Sequence, residues 1–235
     1  MTDHQIKQLI RIRDPSDPLQ YAHNLVRDLA YVRLCEALRS CNDCDISCGV
    51  RTLPSGRTNA PVMVISEAAC LNQKDFITTP ARAANKEFSL FNAFLERYGI
   101  NPDNIFYINA VNCFPFRENE AGDIVARVPM TKEVKNCRVF TDYAIKTVQP
   151  KLIILLGAVA LNLFIKSSIS AERGKLLEIN GIPAVATYHP DYFEKIADKK
   201  DPDLIDELKI DFEHDLLEGF KTFEKMYPNH KITNL

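Results

Sequence analysis

Four short apolar runs, separated by helical patterns, constrain the fold of this chain more than any other feature. They are "VMVIS" (Val62–Ser66), "NIFYINA" (Asn104–Ala110), "KLIILLG" (Lys151–Gly157) and "AVATYH" (Ala184–His189). All four are rich in β-branched residues, and their near-continuous hydrophobicity fits strands buried on both faces. Helical periodicity marks "SLFNAFLERYGI" after the first run, "TKEVKNCRVFTDYAIKTV" before the third and "AVALNLFIKS" after it. Alternation of this kind implies a mostly parallel sheet with helices on both sides. The expected architecture is a three-layer α/β/α sandwich around a central, mostly parallel four-stranded sheet.

The length of 235 residues and the 46% hydrophobic content suit one large α/β domain with a sizeable core. We expect a single domain over 1–235: an N-terminal helix at 17–40, a motif-bearing core at 41–193 and a C-terminal helical tail at 202–235. In the first helix Leu25, Leu29, Val32 and Leu38 fall on one side. A net charge of −2 gives no global basic field, although a local basic groove is compatible with it. The N-terminus lacks an apolar core with a small-residue cleavage site, and the longest apolar run, Leu152 to Ile165, is too short to cross a bilayer. The expectation is a cytoplasmic protein with no membrane association and no obligate protein partner.

In that compartment thiols stay reduced, so the seven cysteines read as metal ligands, a reactive thiol or small core residues before disulfides. Cys41, Cys44 and Cys48 crowd into "SCNDCDISC". A zinc module would add a second close pair within roughly 12–20 residues. Instead Cys70, Cys113 and Cys137 stand far apart. The spacing allows a cluster whose ligands come from distant loops, and it equally allows several small buried residues.

In parallel sheets, ligands sit beyond the carboxyl ends of the strands, here at "SEAAC", "NAVNCFPF", "LGAVA" and "HPDYF". Those segments, with "CNDCDISCGVRT" before them and "RGKLLEINGIPAVATYHP" towards the end, resemble the uracil-DNA glycosylase superfamily, most closely its iron–sulfur family-4 type. Five motifs match in order over about residues 41–193. The resemblance implies a [4Fe–4S] cluster on Cys41, Cys44, Cys113 and Cys137, with zinc at the same cysteines as the alternative. Cys48 then becomes a neighbour, and the charged stretch "RENEAGDIVARVP" an inserted loop near the DNA face.

The resemblance also implies base flipping and cleavage of an N-glycosidic bond through a transition state of oxocarbenium character. His189 would hydrogen-bond the base as charge develops on it. Asn109 would read a base edge with one donor and one acceptor, and Glu67 would position or activate water. Gly157 either lets the N–H groups of the following helix hold a DNA phosphate or allows close helix–sheet packing. Arg173 reads as a phosphate contact or an ordinary surface arginine. Tyr192 and Phe193 read as a wedge filling the gap left by the flipped base, or as anchors of their loop. Asp191 either tunes His189 or caps a helix. No lysine lies in a recognisable lyase motif, which points to a monofunctional enzyme.

The first motif departs from the family. Gly-Glu-Ala-Pro-Gly is replaced by Ser66-Glu67-Ala68-Ala69-Cys70, and Ala81 stands where a base-stacking Phe is expected, with Phe76 or Phe88 as nearby substitutes. An aromatic platform contributes about 1–3 kcal/mol per stacked base. Its loss, with Ala68, Ala69 and Ala81 lining the base pocket, favours a base bulkier than uracil, such as the hypermodified cytosine of phage DNA, and a role in defence. Ordinary uracil repair and a catalytically silent DNA-binding protein of the same fold are the alternatives.

Overall fold

The structure is a computed structural model that describes residues 18–48, 51–68, 89–197, 199, 201–230 and 232. All four expected strands form: β1 (Val62–Ala68), β2 (Ile105–Val111), β5 (Leu152–Leu156) and β7 (Ile182–Thr187). They run parallel in the order β2-β1-β5-β7. The sheet has five strands, however. β6 (Leu176–Ile179) adds an antiparallel edge to β7 through a tight turn at Asn180 (φ 52°) and Gly181 (φ 80°). That Asn-Gly step between two apolar runs is the sequence signal for a hairpin that the four-strand reading passes over.

Helices cover both faces. α1 (Pro18–Ser40), α3 (Thr131–Val148) and the short α4 (Ala158–Asn162) pack against Met63, Ile65, Phe106, Ile108, Ile153 and Leu155. On the opposite face α2 (Ser89–Arg97) and α7 (Pro202–Met226) seal Val62, Val64, Ile105, Tyr107 and Ile154 with Phe91, Phe94, Phe212, Phe220 and Phe223. Alternate residues of each strand therefore feed different cores, which is why the runs are apolar throughout. The C-terminal tail is one helix, with Pro202 in its first turn and the Asp201 side chain accepting the Asp203 N–H.

Two local expectations are corrected. The buried side of α1 carries Asn24, Asp28, Leu34, Cys35 and Leu38, whereas Leu25 and Leu29 are 41% and 56% exposed. Burial of a carboxylate displaced the apolar stripe because Asp28 has a partner: the Thr58 hydroxyl donates to it at 2.6 Å. The charged insert after Cys113, expected as an inserted loop, is a hairpin, β3 (Phe116–Glu118) with β4 (Ile124–Ala126). Its turn is held by the Asn119 side chain, which accepts the Ala121 and Asp123 N–H groups. Its return limb is clamped where Arg127 donates twice to the buried Glu133, at 2.9 and 2.5 Å. The guanidinium holds that carboxyl below the usual carboxylate range. Glu133 lies in the first turn of α3, the helix that carries Cys137.

Candidate active site

His189, Asn109 and Glu67 all lie at the carboxyl end of the parallel sheet. β1 ends in Ser66-Glu67-Ala68, Ser66 is paired in register with Asn109 of β2, and His189 follows the last residue of β7 by two positions. Residues 123 apart in the chain thus meet: His189 Nε2 lies 2.8 Å from the Ser66 hydroxyl oxygen. The other ring nitrogen, Nδ1, accepts the Asp191 backbone N–H at 3.2 Å. An imidazole that accepts at Nδ1 carries its proton on Nε2, so Nε2–H is the donor to Ser66. Burial pushes the His189 pKa down to about 4, with Asp191 opposing and Lys195 reinforcing that shift. The ring is therefore a neutral donor at physiological pH, aimed by a backbone amide. Asp191 acts on it through that amide and through charge, while its carboxylate pairs with Lys195.

Glu67 sits at the start of α4. Its Oε1 accepts the Val159 N–H at 3.1 Å. Burial raises its pKa, opposed by that hydrogen bond and by Lys195. Gly157 makes this possible. It has φ 90°, and a Cβ there would collide with the Glu67 carboxylate. Of the two readings for Gly157, the structure supports close packing, because the first amides of the helix already hold a carboxylate of this chain. Gly157→Ala is expected to displace Glu67, cutting turnover at least about tenfold and costing about 1–3 kcal/mol through left-handed backbone strain. Turnover and thermal melts of the variant check both effects.

Asn109 is buried, and its amide donates to the Thr52 hydroxyl at 3.0 Å. Thr52 in turn donates its N–H to Asn112 O at 2.8 Å, and the Asn112 amide donates to Asn109 O at 3.2 Å. Among the described residues this leaves the Asn109 side-chain oxygen and one amide hydrogen for a ligand. Thr52 is a site residue that sequence reasoning missed. It follows Arg51 in the "RT" pair after the cysteine cluster, and nothing local marks its contact with a strand 57 positions away.

The remaining candidates separate. Ala68 is half-buried and packs beside the cysteines. Ala69 and Ala81 lie outside the described residues, as do Cys70, Phe76 and Phe88. Arg173 is no free phosphate ligand. Its guanidinium donates twice to the buried Asp215, both at 2.9 Å, pairs with Asp211 at 3.0 Å and lies 5.5 Å over the Tyr188 ring. Phe193 is buried edge-on against Phe212 and anchors its loop. Tyr192 stays 38% exposed, stacked on Tyr188 with centroids 5.5 Å apart.

Three of the four expected ligand cysteines share one cluster, and the fourth, Cys41, acts on two of them through charge. Cys113, Cys137 and Cys44 share a small apolar cluster with Ile46 and Val111. Burial raises the Cys113 thiol and pushes Cys137 up to about 11, and in both cases Cys41 and Cys44 add to the rise. Three of the sulfurs have hydrogen-bonding neighbours: Asn112 N–H on Cys137 at 3.4 Å, the Asn136 amide on Cys44 at 3.5 Å, and Asp43 beside Cys41 at 3.6 Å. All four are free thiols. Among the described residues no three His, Cys, Asp or Glu side chains are gathered as a site for one metal ion. The side chain of Cys48 is not described.

A neutral donor and a helix-held carboxylate at the carboxyl edge of a parallel sheet suit hydrolysis of a bond whose leaving group departs with negative charge. The chain belongs to the Uracil DNA glycosylase superfamily, whose sequence profile matches residues 53–213. It is also similar to the type-4 uracil-DNA glycosylase of Thermotoga maritima, with 30% identity over 107 residues. That match takes in 44% of this chain and 52% of the relative, so the chain spans about half the length of the curated relative it matches.

Proposed function

We propose that this protein is a DNA glycosylase that extrudes a base from DNA and hydrolyses its N-glycosidic bond, leaving an abasic site. The observation that carries the reading is the neutral His189, with Nδ1 committed to Asp191 N–H and the proton on Nε2. As the C1′–N bond breaks, its electron pair moves onto the base and its carbonyl oxygen. A hydrogen bond from Nε2–H stabilises that oxygen without proton transfer. Asn109 reads the base edge with its uncommitted oxygen and amide hydrogen, and Glu67 accepts a hydrogen bond from the water that attacks C1′.

The preferred substrate is a base bulkier than uracil, such as a hypermodified phage cytosine, with defence as the biological role. The replaced first motif supports this: Ser66, Ala69 and Cys70 in place of Gly, Pro and Gly, and Ala81 in place of a stacking Phe. Similarity to a uracil-DNA glycosylase favours ordinary uracil repair as the second reading. Base release from uracil oligonucleotides, single- and double-stranded, run beside glucosylated hydroxymethylcytosine DNA decides between them. Alkali-labile sites in the modified DNA alone support the first, in uracil DNA alone the second. Release from neither, or a DNA-linked phenotype that survives combined substitution of Asn109 and His189, returns the protein to a silent DNA-binding role.

Cys41, Cys44, Cys113 and Cys137 fit a [4Fe–4S] cluster better than a single ion. Cys41 and Cys44 act electrostatically on the buried Cys113 and Cys137, Cys44 shares their apolar setting, and N–H donors reach Cys137 and Cys44, features found around iron–sulfur clusters. The cluster would tie the end of α1 to β2 and α3, a structural role. Purified protein is expected to be brown with about four irons per chain; a colourless protein with stoichiometric zinc would exclude the cluster.

A further inference from the structure

Ser66 is the member of the altered first motif whose side chain touches the candidate catalytic group. It is 1% exposed, at the end of β1, with its hydroxyl oxygen 2.8 Å from His189 Nε2. In that bond it accepts, since the imidazole proton is on Nε2. Among the described residues no acceptor for its own hydrogen lies within hydrogen-bond distance. A buried hydroxyl that accepts from the catalytic donor and has a hydrogen to spare is poorly explained by packing alone.

We infer that Ser66 is a second donor to the base oxygen that His189 polarises, an inference that rests on the glycosylase reading. Two donors 2.8 Å apart can both reach one carbonyl oxygen at about 2.7–3.1 Å, the range effective for a developing oxyanion. Before substrate enters, Nε2–H and the serine oxygen satisfy each other. When the base arrives, Nε2–H turns to its oxygen and the hydroxyl hydrogen follows. The exchange keeps Nε2–H paired throughout and gives the Ser66 hydrogen its acceptor only when the base is bound. In the chemical step the C1′–N bond breaks, its electron pair goes to the base and its oxygen, water bonds to C1′, and the proton it loses passes by way of Glu67 to the departing base anion. Ser66 forms no covalent bond and gives up no proton; it holds charge. The register places Asn109 directly beside Ser66 on β2, so the edge-reading amide and both donors face the base from one side of the sheet.

The test is single-turnover base release on a substrate the wild type cleaves, together with DNA affinity, for Ser66→Ala and Ser66→Cys alone and for Ser66→Ala in a His189→Ala background. Circular dichroism checks the fold of each. Ser66→Ala is expected to slow release about 10- to 100-fold with DNA affinity within about twofold, and Ser66→Cys, which keeps a weak donor, to fall between. In the His189→Ala background Ser66→Ala should still cost at least about fivefold, because a donor acts on the base whether or not the imidazole is there. A rate equal to wild type overturns the inference. So does a cost that vanishes when His189 is absent, which would make Ser66 an aiming contact for the ring. A wild type inert on every DNA tested overturns the glycosylase reading and this inference with it, whereas the other two results leave that reading standing.

Discussion

Replacing His189 with alanine is expected to slow single-turnover base release by about 10²- to 10³-fold, the loss typical of one donor to a developing oxyanion. The fold should survive, because the ring is half-buried at a strand end. The pH dependence is the sharper check. With the ring pKa near 4, His189 remains neutral through the physiological range, so the wild-type rate should show no inflection from this group between about pH 5.5 and 8. A rate that declined as pH rose through about 6.5 would mean an imidazolium acid and would remove the neutral-donor mechanism. Stability carries the same signature. The folded pKa lies below the ordinary 6.5, so between the two values the folded state binds fewer protons than the unfolded. His189 therefore withdraws stability as pH falls from 6.5 towards 4, and His189→Ala should be less acid-sensitive across that window.

Asp215→Ala is expected to be the most destabilising of the substitutions considered. Asp215 is 1% exposed, on α7, and accepts from Arg173 twice and from the Thr187 hydroxyl at 2.8 Å. Removing one partner of such a pair leaves a desolvated charge, a cost of about 3–5 kcal/mol. For a chain of this size that lowers Tm by about 6–20 °C. The cost also reaches the site, because Thr187 ends β7 two residues before His189 and Arg173 lies over Tyr188. Arg173→Met with Asp215→Leu should recover much of the stability, since an apolar pair avoids the uncompensated charge. Thermal melts of the single and double variants check this. A double variant as unstable as the single would locate the cost in lost packing instead.

Arg173 shows what kind of information a sequence lacks. "ERGK" is polar and flanks a strand, which fits a phosphate ligand as well as a structural ion pair. Only the seating of α7 against β7 delivers Asp215 to it, from 42 positions away. Gly174 next to it has φ 70°, and a Cβ there would meet Asp215 Oδ1 at 2.5 Å. Gly157 and Gly174 therefore do one job twice: each clears the space into which a distant carboxylate, Glu67 or Asp215, is packed. In α1, likewise, helical spacing located the helix but the Thr58 hydroxyl decided that Asp28, not Leu29, faces inward.

The sequence by itself determined the order of the four parallel strands and their helices, the sheet's mostly parallel character and the strand ends that hold the candidate site. Those properties follow from local hydrophobic periodicity, which every residue reports through its own burial. Tertiary structure alone decided the partners: Ser66 with His189, Asn109 with Thr52, Arg173 with Asp215, and Cys44, Cys113 and Cys137 drawn to one apolar cluster. Such contacts depend on strand register and helix seating, and periodicity says that a face is buried without saying what it is buried against.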